Sequence, residues 1–264
     1  MRYGFIGCGN MGGAIARAVC GAVGGENVVL ANKTRMKAEM LAQELQCAVG
    51  TNDDAAQCDF VFLGVKPHLM EGMLSELRPA LLNNQNAVLV TMAAGLTTSR
   101  IREMAGTGNP VIRMMPNTPA AVGEGMIQYC MLDVDKETEQ AFLEAMARSG
   151  RLDSVEERLI DAATSVSGCG PAFAYQFIEA LADGGVACGL PRSKAMEYAA
   201  QMLLGSAKMV LESGKHPGEL KDAVCSPGGS TIQGVRALEE GAFRGTVMDA
   251  VIAAYEKTKN MGKA

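Results

Sequence analysis

The sequence predicts two halves of different class: a doubly wound α/β half, then an all-helical half. Three observations predict this. Short apolar runs alternate with helical spacings through roughly the first 150 residues, and strands alternating with helices read as a parallel, doubly wound sheet. A glycine-rich turn, Gly7 to Gly12, closes the first apolar run. From about Glu156 the β-branched runs thin out and one helical spacing follows another. With 264 residues, 48% of them hydrophobic, the chain is long enough for one or two domains with real cores. The change of pattern places the boundary between 1–152 and 153–264.

Taken in order, Arg2 to Ile6 is a short strand, followed by an Ala-rich helix from about Gly13. Val28 to Ala31 is a second strand. Thr34 to Leu45 carries Met36, Met40, Leu41 and Leu45 at helical spacing. Cys47 to Val49 is a short strand, and Asp59 to Val65 (DFVFLGV) is an apolar run of the kind buried on both faces. Leu69 to Leu82 is helical and Ala87 to Met92 is again a strand. Pro110 to Met114 and Met126 to Leu132 read as extended, and Lys136 to Arg148 as helical. In the second half the helices are Leu159 to Val166, Ala172 to Ala187, Ser193 to Glu212, Thr231 to Leu238 and Gly245 to Lys257. Their faces are rich in Ala, Gly and Met. Small residues allow close helix approach and Met fills irregular gaps, so these faces suit either a tight helical core or a subunit interface.

Gly7-Cys8-Gly9-Asn10-Met11-Gly12 is G-x-G-x-x-G, placed after a strand and before a helix. In that context it is the fingerprint of a Rossmann-type dinucleotide site. Gly7 permits the turn, Gly9 leaves room for a pyrophosphate, and Gly12 lets helix and strand approach. The helix start offers free N–H groups to phosphate oxygens. The bland alternative is a glycine-rich turn with no ligand. The second strand ends not in an acid but in Asn32-Lys33-Thr34-Arg35. A carboxylate there would favour a free ribose; Lys and Arg instead attract a 2′-phosphate. NADPH is therefore the expected preference, with NADH as the alternative, unless Lys33 and Arg35 are merely solvated helix-start charges. Val65-Lys66-Pro67 and Ala93-Ala94-Gly95 follow two further strands and are expected to line the same crevice.

Late in the chain, Cys225-Ser226-Pro227-Gly228-Gly229-Ser230-Thr231 precedes a helical stretch. Alone it reads as a capped helix start, which is also a ready site for a carboxylate.

Other classes are excluded by composition. The net charge of −5 argues against a nucleic-acid binder. Ala87 to Leu96, the longest strongly apolar stretch, is half the roughly 20 residues a membrane span needs. The opening MRYGFIGCGNMGG lacks an apolar signal region and cleavage site. Eight scattered cysteines without a C-x-x-C pair suggest reduced thiols in a cytoplasmic protein. The two histidines, His68 and His216, have no ligand-spaced neighbours, so no metal site is expected.

G-x-G-x-x-G, VKP at 65–67, MAAG at 92–95, RMMPNTP at 113–119, SGCGPAF at 167–173 and HPGELKDAVCSPGGSTIQG at 216–234 together resemble pyrroline-5-carboxylate reductase, in order and over essentially the whole chain. The last segment is the most specific. The resemblance implies reduction of (S)-1-pyrroline-5-carboxylate to L-proline with NAD(P)H, the last step of proline synthesis. By position it implies that Gly7, Gly9, Asn10, Met11 and Gly12 hold the pyrophosphate and that Asn32, Lys33, Thr34 and Arg35 meet the adenosine ribose and its phosphate. Asn52, Val65, Lys66 and Pro67 would continue the dinucleotide site, and Ala93, Ala94 and Gly95 would lie near the nicotinamide. Gly229, Ser230 and Thr231 would hold the substrate carboxylate, with the Thr231 hydroxyl by the imine nitrogen as the catalytic group. It further implies an all-α C-terminal dimerisation domain, homodimers through swapped helices that often assemble into decamers, and a site completed by helices of the partner. Cys169 departs from the small polar residue common in the S-G-x-G-P stretch and is expected to change little beyond sensitivity to oxidation.

Three other readings compete. A 3-hydroxyisobutyrate-type dehydrogenase needs a lysine early in its helical part, yet no Lys occurs between Lys136 and Lys194. A deazaflavin-linked NADP oxidoreductase would share the nucleotide half but leaves the SPGGST segment unexplained. A non-catalytic NADPH-binding protein would bind the cofactor and turn nothing over.

Overall fold

The computed structural model describes residues 1–261. They form two compact units: residues 1–169 with the end of the last helix from Ala254, and residues 170–253.

The first unit is an eight-stranded sheet in the order β3-β2-β1-β4-β5-β6-β7-β8. Its strands are β1 (Tyr3–Ile6), β2 (Val28–Ala31), β3 (Ala48–Val49), β4 (Phe60–Leu63), β5 (Val88–Thr91), β6 (Val111–Met115), β7 (Gly125–Leu132) and β8 (Gly150–Ser154). The expected doubly wound α/β class is borne out. Pairs from β3 through β6 are parallel, β6 and β7 are antiparallel, and β7 and β8 are parallel. The antiparallel step follows from chain length. A parallel crossover takes a dozen or more residues, and only residues 116–124, folded as a tight 3₁₀ turn at Thr118–Val122, separate β6 from β7.

Both faces of the sheet are covered, which is why the strand sequences are apolar without alternation. On one face Phe5, Leu30, Phe62, Val90 and Ile112 meet helices α1 (Asn10–Val23), α2 (Arg35–Leu45) and α6 (Lys136–Ala145). On the other, Ile6, Val61, Leu63 and Leu89 meet α3 (Asn52–Ala56), α4 (Pro67–Asn83) and α5 (Thr98–Ala105). The rings of Phe5 and Phe62 stack across β1 and β4 with centroids 4.5 Å apart. Each such side chain contributes about 2 kcal/mol by leaving water. Gly4 on β1 has no room for a side chain, because a Cβ would lie 2.2 Å from the Ala55 carbonyl oxygen.

The structure adds elements that periodicity misses. Helix α5 starts at an N-cap, Thr97, whose hydroxyl accepts from Arg100 N–H, and α3 starts in a capping box between Thr51 and Asp54. Strand β8 (GRLDS) is polar and largely exposed, so no apolar pattern announces it. It runs past residue 152, and α7 (Glu157–Ser167) also lies in the first unit.

The second unit holds α8 (Gly170–Ala187), α9 (Arg192–Ser213), α10 (Pro217–Ala223), α11 (Ser230–Glu240) and the start of α12 (Phe243–Met261). Helix α10 is capped by His216, whose Nδ1 accepts from Gly218 N–H at 3.0 Å. Among the described residues no helix is long and apolar enough to cross a membrane.

Candidate active site

The strand order reverses between β1 and β4, and ligands in open α/β sheets bind beyond the carboxyl ends of strands at such a switch point. Here β1 ends at Ile6 and runs into the glycine loop. Gly7 takes a φ of +101° and its N–H donates to the Ala31 carbonyl at 2.8 Å. A side chain at Gly7 would collide with the Gly64 carbonyl oxygen at 2.6 Å, and one at Gly12 with the Gly7 carbonyl oxygen at 2.0 Å. Those two glycines serve the fold. Gly9 differs, since a Cβ there would meet nothing within 4 Å, and the open space lies before the first turn of α1. Gly9 caps α1, which has no acidic residue in its first turn and no side-chain cap. Its leading N–H groups are therefore available to an anion. The residues fit a dinucleotide pyrophosphate.

Asn32 builds this loop. Its side-chain oxygen accepts from Cys8 N–H at 2.9 Å and its amide donates to the Thr34 carbonyl at 2.9 Å. It thus ties the end of β2 to the glycine loop. The Cys8 thiol donates to the Ala31 carbonyl at 3.6 Å, and burial pushes its pKa up to about 11. The loop that faces phosphate thus carries a neutral sulfur.

A cleft of about 680 Å³ opens over these strand ends, lined by Gly7, Gly9, Asn32, Lys33, Asn52, Val65 and Lys66 among the expected residues. Asn10, Met11 and Gly12 lie in the first turns of α1 rather than on the wall. Thr34 caps α2 with its hydroxyl unused for capping, and α2 has no acid in its first turn. Arg35 lies off the wall as well; its guanidinium pairs with Glu39 one turn on, at 2.9 Å, with both side chains exposed. Pro67 opens α4. Ala93, Ala94 and Gly95 follow β5, with Gly95 at φ +76°, and do not line this cleft.

One wall escapes sequence reading. His68, Leu69, Gly72, Met73 and Glu76 of α4 also face the cleft. Their spacing of one, three, one and three is a single helical face, legible once α4 is known to start beside VKP.

In the second unit, Gly229 caps α11, and neither a side-chain cap nor a first-turn acid occupies that helix start. Gly228 has a φ of +69°, and Gly229 N–H donates to the Ser226 carbonyl at 3.0 Å. Ser230 and Thr231 are exposed in the first turn of α11. A positive helix end with two hydroxyls is chemically suited to a carboxylate.

Over 272 aligned residues the chain is 39% identical to a pyrroline-5-carboxylate reductase of Escherichia coli, covering 100% of this chain and 99% of that one. The chain belongs to the pyrroline-5-carboxylate reductase family. A Glycine max pyrroline-5-carboxylate reductase is 41% identical over 98% of this chain and 95% of its own. The crystal structure of a Plasmodium falciparum pyrroline carboxylate reductase with NADP bound superposes with a TM-score of 0.90 at 34% identity, over 99% of this chain and 98% of that one. The family described as pyrroline-5-carboxylate reductase dimerisation matches residues 157–261, so the helical half is this reductase family's dimerisation domain. Residues 2–95 match the coenzyme F420-dependent NADP oxidoreductase family, the family of the deazaflavin-linked alternative. Full-length kinship favours the reductase over that alternative. As a member of this family the chain is an NAD(P)H-binding oxidoreductase that acts on a small molecule and oligomerises.

Proposed function

We propose that the chain reduces (S)-1-pyrroline-5-carboxylate to L-proline, with NADPH preferred over NADH. The observation that carries this reading is identity to named reductases over their whole length; the unobstructed cradle over Gly9 supports it. In this reading Gly7, Gly9, Asn10, Met11 and Gly12 hold the pyrophosphate. Asn32, Lys33, Thr34 and Arg35 meet the adenosine ribose and its 2′-phosphate. Asn52, Val65, Lys66 and Pro67 extend the site, and Ala93, Ala94 and Gly95 flank the nicotinamide. When bound, the reduced cofactor supplies the hydride that the imine carbon accepts.

The protein supplies position and polarity. The first turn of α11 holds the substrate carboxylate through backbone N–H groups and the Gly229-Ser230-Thr231 loop. The Thr231 hydroxyl donates a hydrogen bond to the imine nitrogen and, once that nitrogen is protonated, accepts from the N–H of the iminium, the better hydride acceptor. A threonine hydroxyl is a poor acid at neutral pH, so it relays or positions the proton that water ultimately provides. The unit of assembly is a homodimer, and light scattering shows whether dimers gather into a decamer. Thiols such as Cys188, exposed and unpaired, suit the reducing cytoplasm.

The test is NADPH oxidation at 340 nm with pyrroline-5-carboxylate, and the reverse reaction with thiazolidine-4-carboxylate. Tight NADPH binding without turnover of either would make the chain a non-catalytic binder. Thr231→Ala should lower kcat/KM by about 10-fold or more, equivalent to about 1.4 kcal/mol, with NADPH affinity intact. Kinetics like the parent's would remove Thr231 from the mechanism.

A further inference from the structure

The segment from Met92 to Thr97, which leaves β5 and leads into α5, is held from several sides within the first unit. Ala93 N–H donates to the Thr91 hydroxyl at 3.2 Å. Ala94 packs against Met115, Cys130 and Ile160. Beyond the segment, Thr98 is gripped by a residue 59 positions away: its N–H donates to Glu157 Oε1 at 2.7 Å and its hydroxyl to Glu157 Oε2 at 3.1 Å. Glu157 opens α7, and Ile160 lies three residues on, so one helix holds the segment with a carboxylate and an apolar side chain together.

Arg113 of β6 stands behind the carboxylate. It is only 2% exposed, with Nη1 3.6 Å from Glu157 and Nη2 2.5 Å from Asp161, the next acid along α7. Its buried Nε has no hydrogen-bond partner among the described residues. Desolvating a guanidinium is costly, and a well-packed apolar group of the same volume would fasten α7 to the sheet at least as well. Adhesion alone therefore does not explain the charges. What apolar packing cannot do is fix direction: Arg113, hydrogen-bonded to Asp161, sets a cation beside the Glu157 carboxylate, which accepts from both donors of Thr98 in one geometry.

We infer that Glu157 is a positioning residue for the reduction, setting the 93–95 segment through Thr98 while Arg113 orients its carboxylate. This rests on the proposed place of Ala93-Ala94-Gly95 beside the nicotinamide. Glu157 touches neither reactant in this account; it acts through the segment, so its loss should affect the chemical step more than binding.

The experiment measures steady-state kinetics, NADPH affinity and the primary isotope effect from NADPH deuterated at the transferred position, on intact oligomer. Glu157→Ala should lower kcat about 10-fold, with KM for the imino acid and Kd for NADPH within about 3-fold, and should raise the isotope effect. Glu157→Gln keeps one acceptor oxygen for Thr98 N–H, and its NH2 group can donate to the Thr98 hydroxyl oxygen, so it should restore most of kcat. Because α7 is built into the fold, Thr98→Val gives a milder check: it removes only the hydroxyl and should lower kcat about 3-fold, while Thr98→Ser keeps the parent's rate. The Glu157→Ala and Thr98→Val effects should be less than additive. Parent-like kcat in folded Glu157→Ala or Thr98→Val overturns the inference. So does a loss in kcat with no change in isotope effect and no rescue by Gln. Absence of turnover by the parent itself would instead overturn the reading of the function.

Discussion

The two units close their cores on different terms. In the first, β1, β2, β4 and β5 are buried at every position, and two apolar layers are completed by the chain's own helices. In residues 170–253 only Ala182, Ala195 and Ala199 are buried, while Leu204, Leu211 and Met248 are 60%, 74% and 63% exposed. Apolar surface left in water contributes nothing, at about 25 cal/mol per Å² forgone. One unit is thus a property of a single chain, and the other is a property of the assembly. That agrees with the family's dimerisation domain at residues 157–261 and explains the Ala, Gly and Met faces of the helical sequence.

The strongest way to break the contrast is to make the helical faces hostile to a second copy. An apolar groove of about 460 Å³ is lined by Phe173, Phe177, Leu181, Leu238, Phe243 and Val247. Val247→Glu would place an unpaired carboxylate there, a penalty of several kcal/mol if it is buried. The dimer should weaken by roughly 100-fold or more on light scattering, and reductase activity should fall with it. NADPH affinity should stay within about 3-fold, because the cradle belongs to the other unit. A dimeric, active variant would show that this groove is not where copies meet; a monomer that loses NADPH would show the units are not energetically separate.

Inside the nucleotide unit, two glycines of one motif sharpen the comparison between fold and site. Gly12→Ala drives a Cβ to 2.0 Å from backbone, which cannot yield as a flexible side chain would. About 3 kcal/mol should be lost, lowering Tm by roughly 6–12 °C, and NADPH binding should go with it. Gly9→Ala meets nothing in the protein. Its Tm should hold within about 2 °C while NADPH affinity drops about 10-fold, because the methyl group takes space the phosphates need. Thermal melts and fluorescence titrations on both variants check this. Equal affinity in Gly9→Ala and the parent would empty the cradle of its role.

How much of this the sequence disclosed depends on where each signal lives. The glycine loop and β4 were legible because local chain geometry and two-sided burial write directly into composition. The antiparallel β7 was legible in principle from the short link after Met115, but not from its apolar pattern, which is the same for either direction. The polar edge β8 carries no apolar pattern, the α4 wall directly follows VKP but which face of α4 borders the cleft is set by packing, and the Arg113–Glu157–Thr98 chain joins segments far apart in sequence. Nothing local marks Glu157 as different from its exposed neighbour Glu156. Similarly, Asn32 follows β2 directly in the sequence, yet that its side-chain acceptor serves the glycine loop and its donor Thr34 appears only in three dimensions.

The smallest expected effect tests the finest sequence inference, cofactor preference. Lys33 lines the cleft, whereas Arg35 is 72% exposed and pairs with Glu39. An exposed i,i+4 pair is worth only about 0.3–0.5 kcal/mol, less than a charge-assisted bond to a phosphate at about 1.5–3 kcal/mol, so Glu39 does not prevent Arg35 from turning to a 2′-phosphate. Arg35→Ala should therefore raise KM for NADPH about 5-fold, near 1 kcal/mol, leave KM for NADH unchanged, and lower the NADPH/NADH ratio of kcat/KM accordingly. Glu39→Gln should move the same ratio slightly upward by freeing the guanidinium. The effect must shrink as salt rises, since both groups are solvated. An unchanged ratio in Arg35→Ala would assign the preference to Lys33 and the acid-free start of α2, and would make Arg35 a surface charge like those on the helices of the second unit.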